Sequence, residues 1–144
     1  MVPMNDTHYD FYASGPFFDP EQTASMERME QALEGAGGSV FKPRLADSIE
    51  DAEPEECFAA YIGGIRDSRA LIANLMDEDP GTVFEIGYAH ALGKPVYGYL
   101  EGLTPMDRVN LMIGQAVDAV FSGPEDLRRW LETGEHEEVD YIRF

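Results

Sequence analysis

The sequence contains one cysteine, Cys57, and only two lysines, Lys42 and Lys94, among its ten basic residues. A lone cysteine excludes an internal disulfide and is too little for a cysteine-based zinc site. Cys57 reads instead as a small buried apolar residue. No apolar run approaches the ~20 residues of a membrane-spanning helix, and the N-terminus lacks the charged-then-apolar pattern of a secretory signal. A cytoplasmic protein is therefore expected. Repeats and low-complexity blocks are absent too, and 144 residues suit a single domain over 1–144 with a proper core.

Positive charge is scarce: 10 Lys and Arg stand against 28 Asp and Glu, for a net charge of −18 and a pI near 4.2. Such a surface repels phosphate backbones, so neither nucleic acid nor an anionic membrane is an expected partner. An acidic, lysine-poor surface also suits high salt, where counterions screen self-repulsion. His8, His90 and His136 have no ligand spacing. Asp77, Glu78 and Asp79 could offer oxygens to a hard cation, but the stretch lacks the alternating ligands and central glycine of a calcium loop. No metal and no cofactor is expected.

What is present is an alternation of strand and helix patterns. "HYDFYAS" (His8 to Ser14) is aromatic and β-prone and stops at Gly15-Pro16. A helical pattern from Pro20 to about Glu34 places Met26, Met29 and Leu33 on one face. "SVFKP" (Ser39 to Pro43) reads as a short second strand, and Ala46 to Glu56 as an acidic surface loop. Phe58, Ile62 and Ile65 mark a second helix. "RALIANL" (Arg69 to Leu75) is a continuous apolar run, as a strand buried on both faces requires. A helix from Thr82 to Leu92, the strand "PVYGYL", the strand "DAVF" (Asp118 to Phe121) and a helix from Pro124 complete the pattern, ahead of an acidic tail from Thr133.

This alternation implies an α/β three-layer sandwich with a five-stranded parallel sheet. The flavodoxin-like order 2-1-3-4-5 puts ligands at the C-terminal strand ends, at the switch point between the first and third strands. The loops reaching that point are "SGPFFDPEQ" and "MDEDPGT". Glu85 follows the second of them, in an otherwise apolar helix. Thr82 and Glu85 have capping-box spacing, which would account for the carboxylate by itself. The helix dipole would hold Glu85 ionised while the charge of Asp79 opposes it. A carboxylate pair split in this way is what sugar transfer requires. Capping and chemistry are compatible.

Three stretches, "FYASGPFF", "DEDPGTVFEIGYAHALGKPV" and "VNLM" (Val109 to Met112), resemble the nucleoside 2-deoxyribosyltransferases in order and spacing over nearly the whole chain. D-x-G-T-x-x-E-x-G-x-A is the specific motif; Y-x-x-G-P-F and N-L-M add weight by their order. The resemblance implies transfer of 2-deoxyribose between nucleobases by double displacement, with deoxynucleosides and free nucleobases as substrates. Glu85 matches the family's nucleophile and Asp79 the acid that moves a proton to or from the base. Tyr12 matches the tyrosine that hydrogen-bonds the nucleophile, and Gly15 and Phe17 lie in the same substrate-binding motif. Asn110, with Met112 beside it, matches a residue that binds sugar across a subunit interface. A homo-oligomer, a dimer or a hexamer built from dimers, is therefore expected.

Two departures stand out. Tyr61 occupies the place of an acid carried by many members on the second helix, and Asp67, just before the third strand, should lie at the far edge of the sheet as a helix-end residue. Asp47, with Ser48 beside it, stands nearest to a base-recognising glutamine of some members; an exposed loop acid is the other reading. Phe17 and Phe18 could stack a base or fill the core, Tyr12 could be strand packing, and His90 reads as structural. Two other functions stay open. One is a hydrolase of 2-deoxynucleoside 5′-monophosphates, disfavoured because "SGPFFDPEQ" holds no basic residue for a phosphate. The other is a non-catalytic nucleotide-binding module on the same fold.

Overall fold

The structure is a computed structural model and describes residues 7–46 and 52–144. In chain order the elements are β1 (Tyr9–Ser14), α1 (Pro20–Gly35), β2 (Val40–Phe41), α2 (Pro43–Ala46), α3 (Pro54–Arg66), β3 (Ser68–Asn74), a 3₁₀ turn (Met76–Glu78), α4 (Pro80–Ala91), β4 (Val96–Tyr99), β5 (Arg108–Val109), α5 (Leu111–Ala116), β6 (Ala119–Phe121), α6 (Pro124–Thr133) and β7 (Ile142–Arg143). Five strands form one parallel sheet in the order β2-β1-β3-β4-β6. With β6 as the fifth sheet strand, this is the expected 2-1-3-4-5 order. The register pairs Tyr12 with Leu71 and Ser14 with Ala73, so β1 and β3 lie side by side at the switch point.

Strand alternation divides the core between the two sheet faces. Tyr12, Leu71 and Ala73 pack with Ile65 of α3 and Ile86 and Ala89 of α4. Ala13 and Ile72 face the other way, onto Met26, Met29 and Leu33 of α1 and Leu127 of α6. The face expected for α1 is thus the buried one, and β3 is buried at every residue except Arg69. Cys57 is buried and unpaired with another cysteine. Phe121 and Trp130 close the second cluster, with ring centroids 4.9 Å apart.

Local chemistry sets the helix starts. α1, α3, α4 and α6 each begin with proline, whose missing N–H costs nothing there. Asp19 caps α1 by accepting from the Gln22 N–H at 2.8 Å. Asp67 ends α3 and faces His8 at 3.7 Å, at the edge of the sheet away from the strands' C-terminal ends, as expected.

Several expectations change. α4 starts at Pro80, not Thr82, and its cap is Asp79, which accepts from both the N–H and the hydroxyl of Thr82. Glu85 is thereby carried past the first turn, so the Thr82–Glu85 capping box does not form. The reason is the proline: its fixed φ starts the helix two residues early and hands the cap to the aspartate before it. The acidic stretch after Ala46 is shorter than read, since Glu55 and Glu56 belong to the first turn of α3. The short α2 and α5, and the pairing of β5 with β7 near the C-terminus, carried no recognised signal in the sequence. Elements of two to six residues are too short to show a period. His90, read as structural, is exposed on α4.

Candidate active site

Two strand residues and one helix residue build the centre of the site. Tyr12 and Ser14, two apart on β1, project from the same face of the sheet toward α4. The Tyr12 hydroxyl donates to Oε2 of Glu85, and the Ser14 hydroxyl donates to Oε1 at 2.8 Å. Each carboxylate oxygen is therefore held by its own hydroxyl. The Tyr12 ring is fully buried and stacks on Phe41, with centroids 5.3 Å apart and planes 10° from parallel. Phe41 in turn needs Gly64 beneath it: a Cβ there would sit 2.6 Å from the ring.

Gly15 follows immediately and permits another close approach. A Cβ at that position would lie 2.4 Å from the Met26 sulfur and 2.9 Å from Cβ of Asn74. The chain thus turns tightly off β1 and brings Phe17 and Phe18 over the strand ends, where they stack with centroids 5.5 Å apart. Phe18 is exposed, so the pair forms a wall rather than core. Phe58 of α3 and Phe84 of α4 face each other at 6.1 Å on the opposite side. These rings, with Tyr61 and Ile62 of α3, Gly15, Asp79 and Glu85, enclose a cavity of about 320 Å³. It is an apolar cleft with two acidic side chains and a few fixed polar groups, the usual form of a small-molecule site.

Burial raises the pKa of the Glu85 carboxyl above the ordinary range; the hydroxyls of Tyr12 and Ser14 pull it back and the charge of Asp79 adds to the rise. The Tyr12 phenol is pushed far up, first by burial and then by the Glu85 charge, so it stays a donor. Asp79 reaches the cavity from the N-cap of α4. The cleft can therefore hold a flat apolar group between rings and present an oriented carboxylate to it. Among the described residues no group of three or more His, Cys, Asp or Glu is arranged to hold a metal ion.

The structure brings Gly15, Phe17, Tyr61, Asp79 and Glu85 together around the cavity, with Tyr12 behind it bonded to Glu85. Asp47 lies outside the described residues. Asn110 and Met112 do not reach this cavity: the Asn110 side chain caps α5 by accepting from the Met112 N–H at 2.8 Å. Both are exposed, Met112 at 77%. Sequence reasoning did not assign Ser14, Phe58, Ile62 and Phe84 to the site. Ser14 was legible as the same-face neighbour of Tyr12, whereas Phe58 and Ile62 carry a helical spacing that core residues share.

Known proteins resemble this chain in sequence and backbone. The sequence profile of the family described as nucleoside 2-deoxyribosyltransferase matches residues 11–128. A putative 2′-deoxynucleoside 5′-phosphate N-hydrolase 1 of Thermofilum pendens is 33% identical over 82 residues, which span 54% of this chain and 57% of that relative. The 2-deoxyribosyltransferase of Bacillus psychrosaccharolyticus superimposes with a TM-score of 0.76 at 28% identity, covering 90% of this chain and 98% of that one. A 2-desoxiribosyltransferase of Leishmania mexicana shares the fold at 23% identity and a TM-score of 0.65, covering 88% of this chain and 99% of its own. By the extent of the family match, with the backbone agreement beside it, this chain belongs to the nucleoside 2-deoxyribosyltransferase family.

Proposed function

We propose that the protein transfers 2-deoxyribose between nucleobases, with Glu85 as nucleophile and Asp79 as the proton-transfer group. The observation that carries this reading is the Glu85 carboxylate, gripped at both oxygens by Tyr12 and Ser14 and facing an aromatic-walled cleft. In the first step a Glu85 oxygen bonds the anomeric carbon while the bond to the base breaks. The electron pair leaves on the base nitrogen, which takes the proton that Asp79 picks up from solvent as the substrate binds. The acyl-linked deoxyribose is then attacked by a second base, whose proton returns to Asp79 as Glu85 is released as a carboxylate. Phe17, Gly15 and Tyr61 bound the space for the substrate. No cofactor takes part in either step.

The second reading, hydrolysis of a deoxynucleoside 5′-monophosphate, draws on the activity for which the Thermofilum pendens relative is named, and this chain matches little more than half of that relative. The electrostatics speak for the nucleoside: Asp79 and Glu85 are the only charged side chains among the described residues lining the cleft, and both repel a phosphate. Asn110 and Met112, away from this cavity, are proposed to complete the pocket of a neighbouring copy in a homo-oligomer.

Three parallel incubations decide between the activities: deoxyinosine with a second base, deoxyinosine alone, and deoxyinosine 5′-monophosphate alone. New nucleoside in the first tube is the expected result. Free base released fastest from the monophosphate establishes the hydrolase, and no reaction in any tube leaves a binding module.

A further inference from the structure

The loop that delivers Asp79 has an unusual backbone. Asp77 and Glu78 are consecutive non-glycine residues with positive φ, 61° and 43°. Side chains rarely adopt this conformation, and such residues persist only where surrounding contacts over-determine them. Here the contact in the middle of the loop comes from Gln22, a buried residue in the first turn of α1. Its Nε2 donates to Oδ2 of Asp77 at 2.9 Å, while its Oε1 accepts from the Phe18 N–H at 2.8 Å. One amide thus grips both loops that frame the cleft. Asn74 secures the start of the same loop, accepting from the Met76 N–H at 3.1 Å, and the Thr82 bonds to Asp79 secure its end.

We propose that Gln22 is a positioning residue: through Asp77 it holds the strained Asp77–Glu78 turn that sets Asp79, and through Phe18 it fixes the aromatic wall opposite. The inference rests on the role of Asp79 given above. The clamp supplies the support that a left-handed turn without glycine requires. Its loss leaves Glu85 and its hydroxyl partners in place but releases the proton-transfer group and the wall together.

Three variants separate the clamp from the strain. Asp77→Asn keeps the acceptor and tolerates positive φ, Asp77→Gly keeps the backbone but removes the bond, and Gln22→Met keeps the length without the amide. The expected result is base-exchange kcat near wild type for Asp77→Asn. For Asp77→Gly and Gln22→Met a loss on the order of 10- to 100-fold is expected, the scale of a small misplacement of a reacting group. That loss should shrink for a 2-deoxyribosyl substrate whose leaving group needs no proton, which a merely structural defect would not produce. Thermal midpoints of Asp77→Gly should not fall, because glycine relieves the strained turn. Hydrogen exchange supplies a readout free of activity: Gln22→Met should speed exchange of the amides of both loops, 15–19 and 75–79. Unchanged exchange, or faster exchange with wild-type kcat, overturns the proposal. Wild-type protein without any glycosyl activity sinks the functional reading instead, and the exchange data then decide the clamp alone.

Discussion

Glu85 is a carboxylate that the fold makes hard to ionise and then orients. Burial raises its pKa, and the Asp79 charge adds to the rise, while two hydroxyl donors partly restore the ionised form. A nucleophilic carboxylate works only when deprotonated, so activity should fall as pH drops through this raised pKa. The acid limb of a kcat/KM profile is therefore expected above the ordinary carboxylate range. Tyr12→Phe removes one donor to the ionised form and should move that limb to still higher pH; an unmoved limb separates Tyr12 from the nucleophile. Asp79 caps α4, and asparagine would preserve that cap but not the proton transfer proposed for it. Asp79→Asn should lower kcat by ~10² to 10⁴ with little change in melting temperature. A change confined to KM would make Asp79 a binding residue.

At the scale of elements, the site is made by a strand's two-residue period meeting a helix start. That much was legible: the strand–helix alternation, the sheet order and the loops at the switch point follow from apolar patterning and turn residues. What escaped has identifiable causes. The Pro80 start moved the cap of α4 to Asp79, because a proline's fixed φ outranks a capping-box spacing. Phe58 and Ile62 have the spacing of a core-facing helix, yet α3 turns them into the cleft, and periodicity cannot distinguish a core from a pocket wall. The loop of Asp77 and Glu78 gives no sign of its left-handed backbone in residue types that lack glycine. One element-scale contact is testable directly. Alanine at Gly64 would gain ~1 kcal/mol of helix propensity but press on the Phe41 ring beneath Tyr12, an overpacking that costs ~1–3 kcal/mol. Gly64→Ala is expected to bring no gain in melting temperature and to lower kcat through Tyr12; a stabilised, fully active variant would show that Phe41 yields freely.

For the whole molecule the governing quantity is the net charge of −18. Like-charged copies repel over the Debye length, about 30 Å at 0.01 M salt and 3 Å at 1 M. Asn110, Leu111 and Met112 lie exposed away from the Glu85 cavity, on the surface proposed to serve a neighbour. Assembly and activity should then rise together as salt is added, measured by sedimentation and base exchange on the same samples. A monomer with full activity at low salt would remove Asn110 and Met112 from the site. No helix among the described residues is long and apolar enough to cross a membrane.

The central claim is a covalent bond between deoxyribose and Glu85. Wild-type protein and a Glu85→Ala variant are mixed with a deoxynucleoside, quenched in acid within the first turnover, and analysed by intact and peptide mass spectrometry. The account predicts a mass increase of one deoxyribosyl group, on the peptide holding Glu85, in the wild type alone, together with loss of base exchange in the variant. Turnover without any adduct, or an adduct that persists in Glu85→Ala, would contradict it.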